Sequence, residues 1–254
     1  MELSRKMKLL LRNNAVFLSL SLLLALSIGL ALLWIPKGEL HLLLCTRHTP
    51  ARDTFYKYYT QVAEWLPYLV CLSLLFYRAW AAALATAGVV LSGLFTQIIK
   101  YIVDAPRPLT WFSENYPDIQ LPLVEGVRMS KYYSFPSGHT TTFFALFLAL
   151  SIIVTKKLSE ANRPSSIFHC PTFPAPEPLR SIVHCQLSIA LQILFAFLAT
   201  LGAYSRIYLS QHFATDVLGG ILIGITITLL SYAVLSRFQD KKWYNYHFFA
   251  KKCT

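Results

Sequence analysis

Of the 254 residues, 55% are hydrophobic and only 14% charged, where average globular chains carry roughly 25% charged residues, and the mean hydropathy is +0.49. This balance excludes a disordered chain and an ordinary soluble domain, and five cysteines do not make a disulfide scaffold. The net charge of +11 does not indicate a nucleic-acid partner, because the polar segments are too small to build a clustered basic face.

A helix that crosses a bilayer needs about 20 mostly apolar residues. The first such span is expected at about 13–36, since no charge falls between Arg12 and Lys37. Arg5, Lys6, Lys8 and Arg12 precede it as a signal peptide's basic residues would. Its apolar run exceeds the ~7–15 residues of a signal-peptide core, and no small-x-small site follows at Leu33–Pro36, so it reads as an uncleaved anchor. A second span, at about 57–77, reaches bilayer length only if it starts near Lys57, with Tyr58, Tyr59 and Trp65 in the interface. The third runs over about 79–102. The polar stretch Asp104–Phe135, with Trp111, Tyr116, Tyr132 and Tyr133, reads as a loop. A fourth span is expected at about 137–155. Lys156–Gln186 holds Pro164, Pro171, Pro174, Pro176 and Pro178, too many prolines for a long helix, and reads as an irregular linker without chemistry. The fifth and sixth spans follow at about 183–204 and 217–236. The expectation is an all-α six-helix membrane bundle forming one domain over 1–254, with no inverted transporter repeat.

With the N-terminus in the cytoplasm, most lysines and arginines fall inside and most acids outside. Nearly all of the +11 charge is then a topology signal. Cysteine offers no pair for an external disulfide or a zinc site.

Three polar clusters then fall on the outer side. The first is Lys100-Tyr-Ile-Val-Asp-Ala-Pro-Arg107-Pro108, at the end of span three. The second is Tyr133-Ser-Phe-Pro136-Ser137-Gly138-His139, entering span four. The third runs from Ser205 and Arg206 to His212 and Asp216, between spans five and six. Ionisable groups at a bilayer are costly and usually functional. Lys100, Arg107 and Arg206 supply three cations, and arginine's planar fork suits phosphate oxygens. Pro136-Ser137-Gly138 resembles a helix start, whose open N–H groups favour an anion. Ser137 and Gly138 are therefore candidate phosphate binders beside the three cations. His212 and Asp216, four apart, would share a helix face, the carboxylate fixing the tautomer and freeing the other nitrogen as a nucleophile. His139, at the helix start, is placed to protonate a departing alkoxide. One nucleophile, one acid and a cationic clamp amount to phosphoryl transfer through a phosphohistidine, with the clamp in place of a metal. Arg128 and Lys131 read as rim residues at most. His41, His48, His169, His184 and His247 have no partner at a useful spacing and read as structural.

These clusters resemble the three signature motifs of the type 2 phosphatidic acid phosphatase family, which shares its core with vanadium haloperoxidases. Lys100, Arg107 and Pro108 match the first motif. Pro136, Ser137, Gly138 and His139 match the second, and Ser205, Arg206, His212 and Asp216 the third. No signature position departs from the pattern, and the matching region covers well over half the chain. The resemblance implies a six-helix membrane bundle, hydrolysis of lipid phosphates without metal or cofactor, His212 as nucleophile, His139 as general acid, and inhibition by vanadate.

The expected partners are the bilayer and a lipid phosphate entering laterally. Phosphatidic acid, phosphatidylglycerol phosphate, undecaprenyl diphosphate, a lipid A phosphate and sphingosine phosphate all fit. The short chain looks like bacterial members of the family, and Asp104–Phe135 like envelope-lipid phosphatases of Gram-negative bacteria. That places the protein in an inner membrane with the site facing the periplasm. Lys251-Lys252-Cys253-Thr254 has the form of a dilysine retrieval signal, which leaves the endoplasmic reticulum with a lumenal site as the alternative. A haloperoxidase is disfavoured by the six spans, and a transporter by the lack of mid-span ionisable residues. A non-catalytic lipid-phosphate-binding protein is disfavoured by an intact His212, Asp216 and His139. Oligomeric state is not legible.

Overall fold

The structure, a computed structural model, describes residues 2–161 and 177–246. Among the described residues there are nine α-helices: α1 (Glu2–Asn13), α2 (Ala15–Trp34), α3 (Lys37–Cys45), α4 (Pro50–Leu75), α5 (Ala79–Val103), α6 (Pro108–Asn115), α7 (Gly138–Ala161), α8 (Glu177–Tyr208) and α9 (Ala214–Leu235). Two 3-10 turns, Ser236–Phe238 and Lys242–Asn245, follow α9, and no strand occurs among the described residues.

Five helical stretches are long and apolar enough to cross a membrane: Ala15–Trp34, Ala79–Asn115, Gly138–Ala161, Ser181–Tyr208 and Ala214–Phe238. The expected second span is a helix, but α4 falls short in apolarity, not in length. Lys57, Thr60, Gln61 and Glu64 recur along it at the spacing of one helical face. Three helices were not foreseen. The basic N-terminal tail forms α1, α3 follows the first span, and α6 lies inside the stretch expected to be a loop. The proline linker is shorter than expected, because α7 continues to Ala161 and α8 begins at Glu177. Pro164, Pro171, Pro174, Pro176, His169, Cys170, His247 and the Lys251-Lys252 pair lie outside the described residues.

Helix α7 forms the centre and is the most enclosed span. Phe143, Phe144, Phe147, Leu148 and Ile152 are all buried in it. It packs against α5, α8 and α9, and small residues allow that close approach. A Cβ at Gly224 of α9 would lie 2.6 Å from the Thr141 carbonyl oxygen, and one at Gly220 would lie 2.8 Å from that of Ser137. Gly202 of α8 abuts the Phe143 ring so closely that any Cβ there would overlap it. Leucines turn outward instead: Leu22, Leu23, Leu26 and Leu30 on α2, Leu91 and Leu94 on α5, Leu222 and Leu230 on α9. A surface so apolar, on helices that satisfy their own backbone polar groups, suits lipid and not water.

Candidate active site

The C-terminal end of α5 begins the site. Lys100 stands in its last turn, and Asp104 ends the helix in a left-handed conformation at φ 42°. The turn delivers Arg107 as the N-cap of α6, with Pro108 at the first helical position, where proline is well tolerated. The Arg107 guanidinium is held by backbone carbonyls: Nε donates to Tyr132 O at 3.1 Å and Nη1 to Gln211 O at 3.4 Å. Its own amide donates to Lys131 O at 2.8 Å. Two chain segments thus fix one cation.

The start of α7 is a helix N-terminus, as expected, but one of its amides is already used. Ser137 N–H donates to the Asp216 carbonyl at 2.9 Å, and the Ser137 side chain is fully buried, accepting from Thr140 Oγ1 at 2.9 Å. The Gly138 and His139 amides find no acceptor among the described residues, so these two are the ones open to an anion. A Cβ on Gly138 would lie 4.0 Å from Lys100 Nζ. Glycine therefore keeps open the space between the lysine and the helix end.

His212 Nδ1 lies 3.3 Å from Asp216 Oδ2, and both side chains are buried. The contact does not arise on a shared helix face, however. His212 precedes α9, in a tight connection where Ser210 has φ 49° and the amides of Gln211 and His212 both donate to Arg206 O. Asp216 sits in the first turn of α9 and accepts from the Phe213 amide at 2.9 Å, a capping bond. Ser134 Oγ donates to the same oxygen at 2.5 Å, and Thr215 Oγ1 to the other at 3.2 Å. With Nδ1 committed to the carboxylate, Nε2 carries the ring's free lone pair. Burial pushes the His212 pKa down to about 3; the Asp216 bond opposes this, and Arg107 and Arg206 add to it. The ring is therefore neutral at ordinary pH, as a nucleophile must be.

Arg206, in the last turn of α8, is 4% exposed. Its Nη1 donates to Thr60 Oγ1 of α4, while its buried Nε has no partner among the described residues. His139 Nε2 is also buried without a hydrogen bond among the described residues and faces Glu64 Oε1 of α4 at 3.4 Å. Arg107, His139, Arg206, Thr60, Glu64 and Arg128 line a cleft of about 320 Å³. Lys100 and His212 are not part of its lining, but both lie within electrostatic reach of His139.

The structure thus brings together all eight residues expected of the site: Lys100, Arg107, Ser137, Gly138, His139, Arg206, His212 and Asp216. Ser205 turns away, its hydroxyl donating to Gly202 O. Sequence reasoning missed Ser134, although it sits between the quoted Tyr133 and Pro136. It also missed Thr60 and Glu64, whose only signal was a polar stripe on a helix of ambiguous hydropathy. Two histidines read as partnerless are partnered through the fold. His41 Nε2 lies 3.3 Å from Ser210 Oγ, and His48 Nδ1 lies 2.8 Å from Asp53 Oδ1 with its ring stacked on Tyr208.

Apolar helices around a cluster of cations, two histidines and a carboxylate define an integral membrane protein with a cationic polar cluster at one end of its bundle. The chain belongs to the PAP2 superfamily, whose family model matches residues 76–240. A relative described as probable lipid phosphate phosphatase beta, from Arabidopsis thaliana, is 28% identical over 155 residues. That match spans 60% of this chain and 64% of the relative, a little under two thirds of its length. Two solved structures share the fold. The first transmembrane PAP2 type phosphatidylglycerolphosphate phosphatase from Bacillus subtilis has a TM-score of 0.56 at 20% identity, covering 91% of this chain and all of that one. Aquifex aeolicus LpxE has a TM-score of 0.52 at 22% identity, covering 76% of this chain and 92% of that one.

Proposed function

We propose that the protein is a membrane lipid phosphatase, hydrolysing a phosphate monoester or diphosphate on a lipid through a phosphohistidine at His212. The observation that carries this is the buried His212–Asp216 pair set among Lys100, Arg107 and Arg206. Superfamily membership and the names of the Arabidopsis and Bacillus relatives support the lipid phosphate as substrate class.

In this reading the phosphoryl oxygens lie against Lys100, Arg107, Arg206, the Gly138 and His139 amides and Ser137. His212 Nε2 attacks phosphorus as the bond to the leaving oxygen breaks, and His139 gives that oxygen its proton. Water then attacks the phosphohistidine while His139 takes a proton back, releasing inorganic phosphate and restoring His212. Asp216 holds the ring and stabilises its positive charge. Fixed cations do the charge stabilisation that a metal performs elsewhere, so no metal or cofactor is required.

The proposed architecture is one domain with six spans, α4 being the sixth and turning its polar face to the cleft. Charge bias puts the N-terminus in the cytoplasm and the site on the opposite face. In a bacterial inner membrane that face is periplasmic; in the endoplasmic reticulum it is lumenal. The substrates to test are phosphatidic acid, phosphatidylglycerol phosphate, undecaprenyl diphosphate and a bis-phosphorylated lipid A.

The test is phosphate release by purified protein in detergent micelles containing EDTA, beside His212→Ala. Turnover of one lipid, absent in the variant, is expected. Loss of activity with EDTA would contradict the metal-free mechanism, and equal turnover in His212→Ala would overturn the nucleophile. Vanadate binding without turnover of any lipid would favour a lipid-phosphate-binding protein.

A further inference from the structure

Glu64 has no place in the mechanism above, yet its carboxylate lies 3.4 Å from His139 Nε2. That nitrogen is shut off from solvent and has no hydrogen bond among the described residues. Glu64 is itself 63% exposed, so it connects a buried ring atom to water. It is held there by the register of α4, where Thr60, one helical turn earlier, binds Arg206. One turn of α4 therefore touches both the clamp and the second histidine. Among the described residues, the other charges near His139 are positive: Lys100 from α5, Arg107 from the α6 N-cap and Arg206 from α8, with the His212 ring beside them. A proton on an imidazole so placed is repelled from three directions. Glu64 is the acidic side chain facing it.

We propose that Glu64 is a positioning residue that keeps His139 protonated and correctly oriented until the leaving oxygen arrives. This rests on the reading of His139 as the proton donor. In the resting enzyme the carboxylate faces the Nε2–H of an imidazolium. The substrate's bridging oxygen takes the carboxylate's place, and the Nε2 proton passes to it as the P–O bond breaks. In the second half-reaction neutral Nε2 removes a proton from the attacking water, and the imidazolium returns to Glu64. No proton is gained or lost over the cycle beyond those of the water consumed. A carboxylate favours the charged form of a neighbouring histidine. Because Glu64 is largely exposed, solvent screens the effect and it is modest.

The test compares two substrates that differ in how much they need a proton donor. The leaving group of phosphatidic acid is the alkoxide of diacylglycerol, which needs the proton; that of 4-nitrophenyl phosphate is a stabilised phenolate, which hardly does. For Glu64→Gln, kcat on phosphatidic acid should fall about 10-fold, within the usual range for acid catalysis. The alkaline limb of its pH profile should move down by about one pH unit. Turnover of 4-nitrophenyl phosphate should change less than about 2-fold, and Glu64→Asp should restore part of the lipid activity. Equal losses on both substrates, or an unmoved alkaline limb, would overturn the proposal. His139→Ala separates the two levels. If it is selectively poor on phosphatidic acid while Glu64→Gln is not, only the role of Glu64 fails. If His139→Ala is equally impaired on both substrates, the proton-donor reading fails and takes this proposal with it.

Discussion

Ser134 Oγ donates to Asp216 Oδ2 at 2.5 Å, so the segment leading into α7 is tied to the carboxylate that holds His212. The Ser137 amide adds a second tie, to the Asp216 backbone. The N-terminus of α7 and the nucleophile candidate on the way into α9 are thereby fixed to one another. Neither depends on loop packing alone.

Ser134→Ala removes one donor from a buried carboxylate that keeps the Phe213 amide and Thr215. A hydrogen bond to a charged group contributes about 1.5–3 kcal/mol. The expected result is a fall in kcat of about 10-fold with KM nearly unchanged, because the ring loses orientation while the cations stay. Steady-state kinetics on a turned-over lipid check this; a rise in KM alone would contradict it.

Thr60→Val leaves Arg206 without its acceptor on Nη1, when its Nε already lacks one. The guanidinium stays buried but is no longer aimed. Vanadate or inorganic phosphate should bind about 10-fold more weakly, in line with the loss of one charge-assisted bond. Calorimetric titration measures it, and unchanged affinity would show that Thr60 does not aim the arginine.

Gly224→Ala should destabilise the bundle by about 1–3 kcal/mol, the usual range for overpacking, since its Cβ would meet the Thr141 carbonyl oxygen at 2.6 Å and the Ala145 amide nitrogen at 3.1 Å. Those are backbone atoms of α7 and cannot rotate away. Gly93→Ala is the control, because a Cβ there meets nothing within 4 Å. Melting temperatures in detergent should fall for the first variant and stay level for the second.

Acid should loosen the fold through His41. Burial holds its pKa down at about 4, partly offset by Asp216, while an unfolded histidine titrates near 6.5. Between those values the unfolded chain binds more protons, so this contribution to stability is whole above about 6.5 and is lost as pH falls towards 4. At pH 5 the loss is about 2 kcal/mol from this residue. His212, with its pKa of about 3, adds a loss of the same sign over an overlapping window. His41→Phe keeps an aromatic ring beside Phe112 and Phe213 but cannot titrate. Its melting temperature should fall less between pH 7.5 and pH 5 than that of the parent protein. Parallel declines would contradict the assignment.

The membrane character, the all-helical class and the eight residues that the fold gathers at one end of the bundle were legible in the sequence. Apolar run length and charge spacing are local quantities, and three motifs at helix ends carry their own chemistry. Even so, one correct contact had the wrong cause. His212 and Asp216 meet because a tight connection bends back before α9 and the carboxylate caps that helix, not because four residues make a helical turn. How the polar side of α4 is used depends on helix packing. Thr60 lies 146 residues from Arg206 and Glu64 lies 75 from His139, and their hydropathy shows only that the helix is less apolar than its neighbours. The same holds for Ser134 on Asp216 and His41 on Ser210. Each is a pairing of buried polar atoms, and burial leaves such atoms little choice but to find partners. Which partner each one finds depends on which helices pack side by side, and here the glycines of α8 and α9 set how closely those helices approach α7.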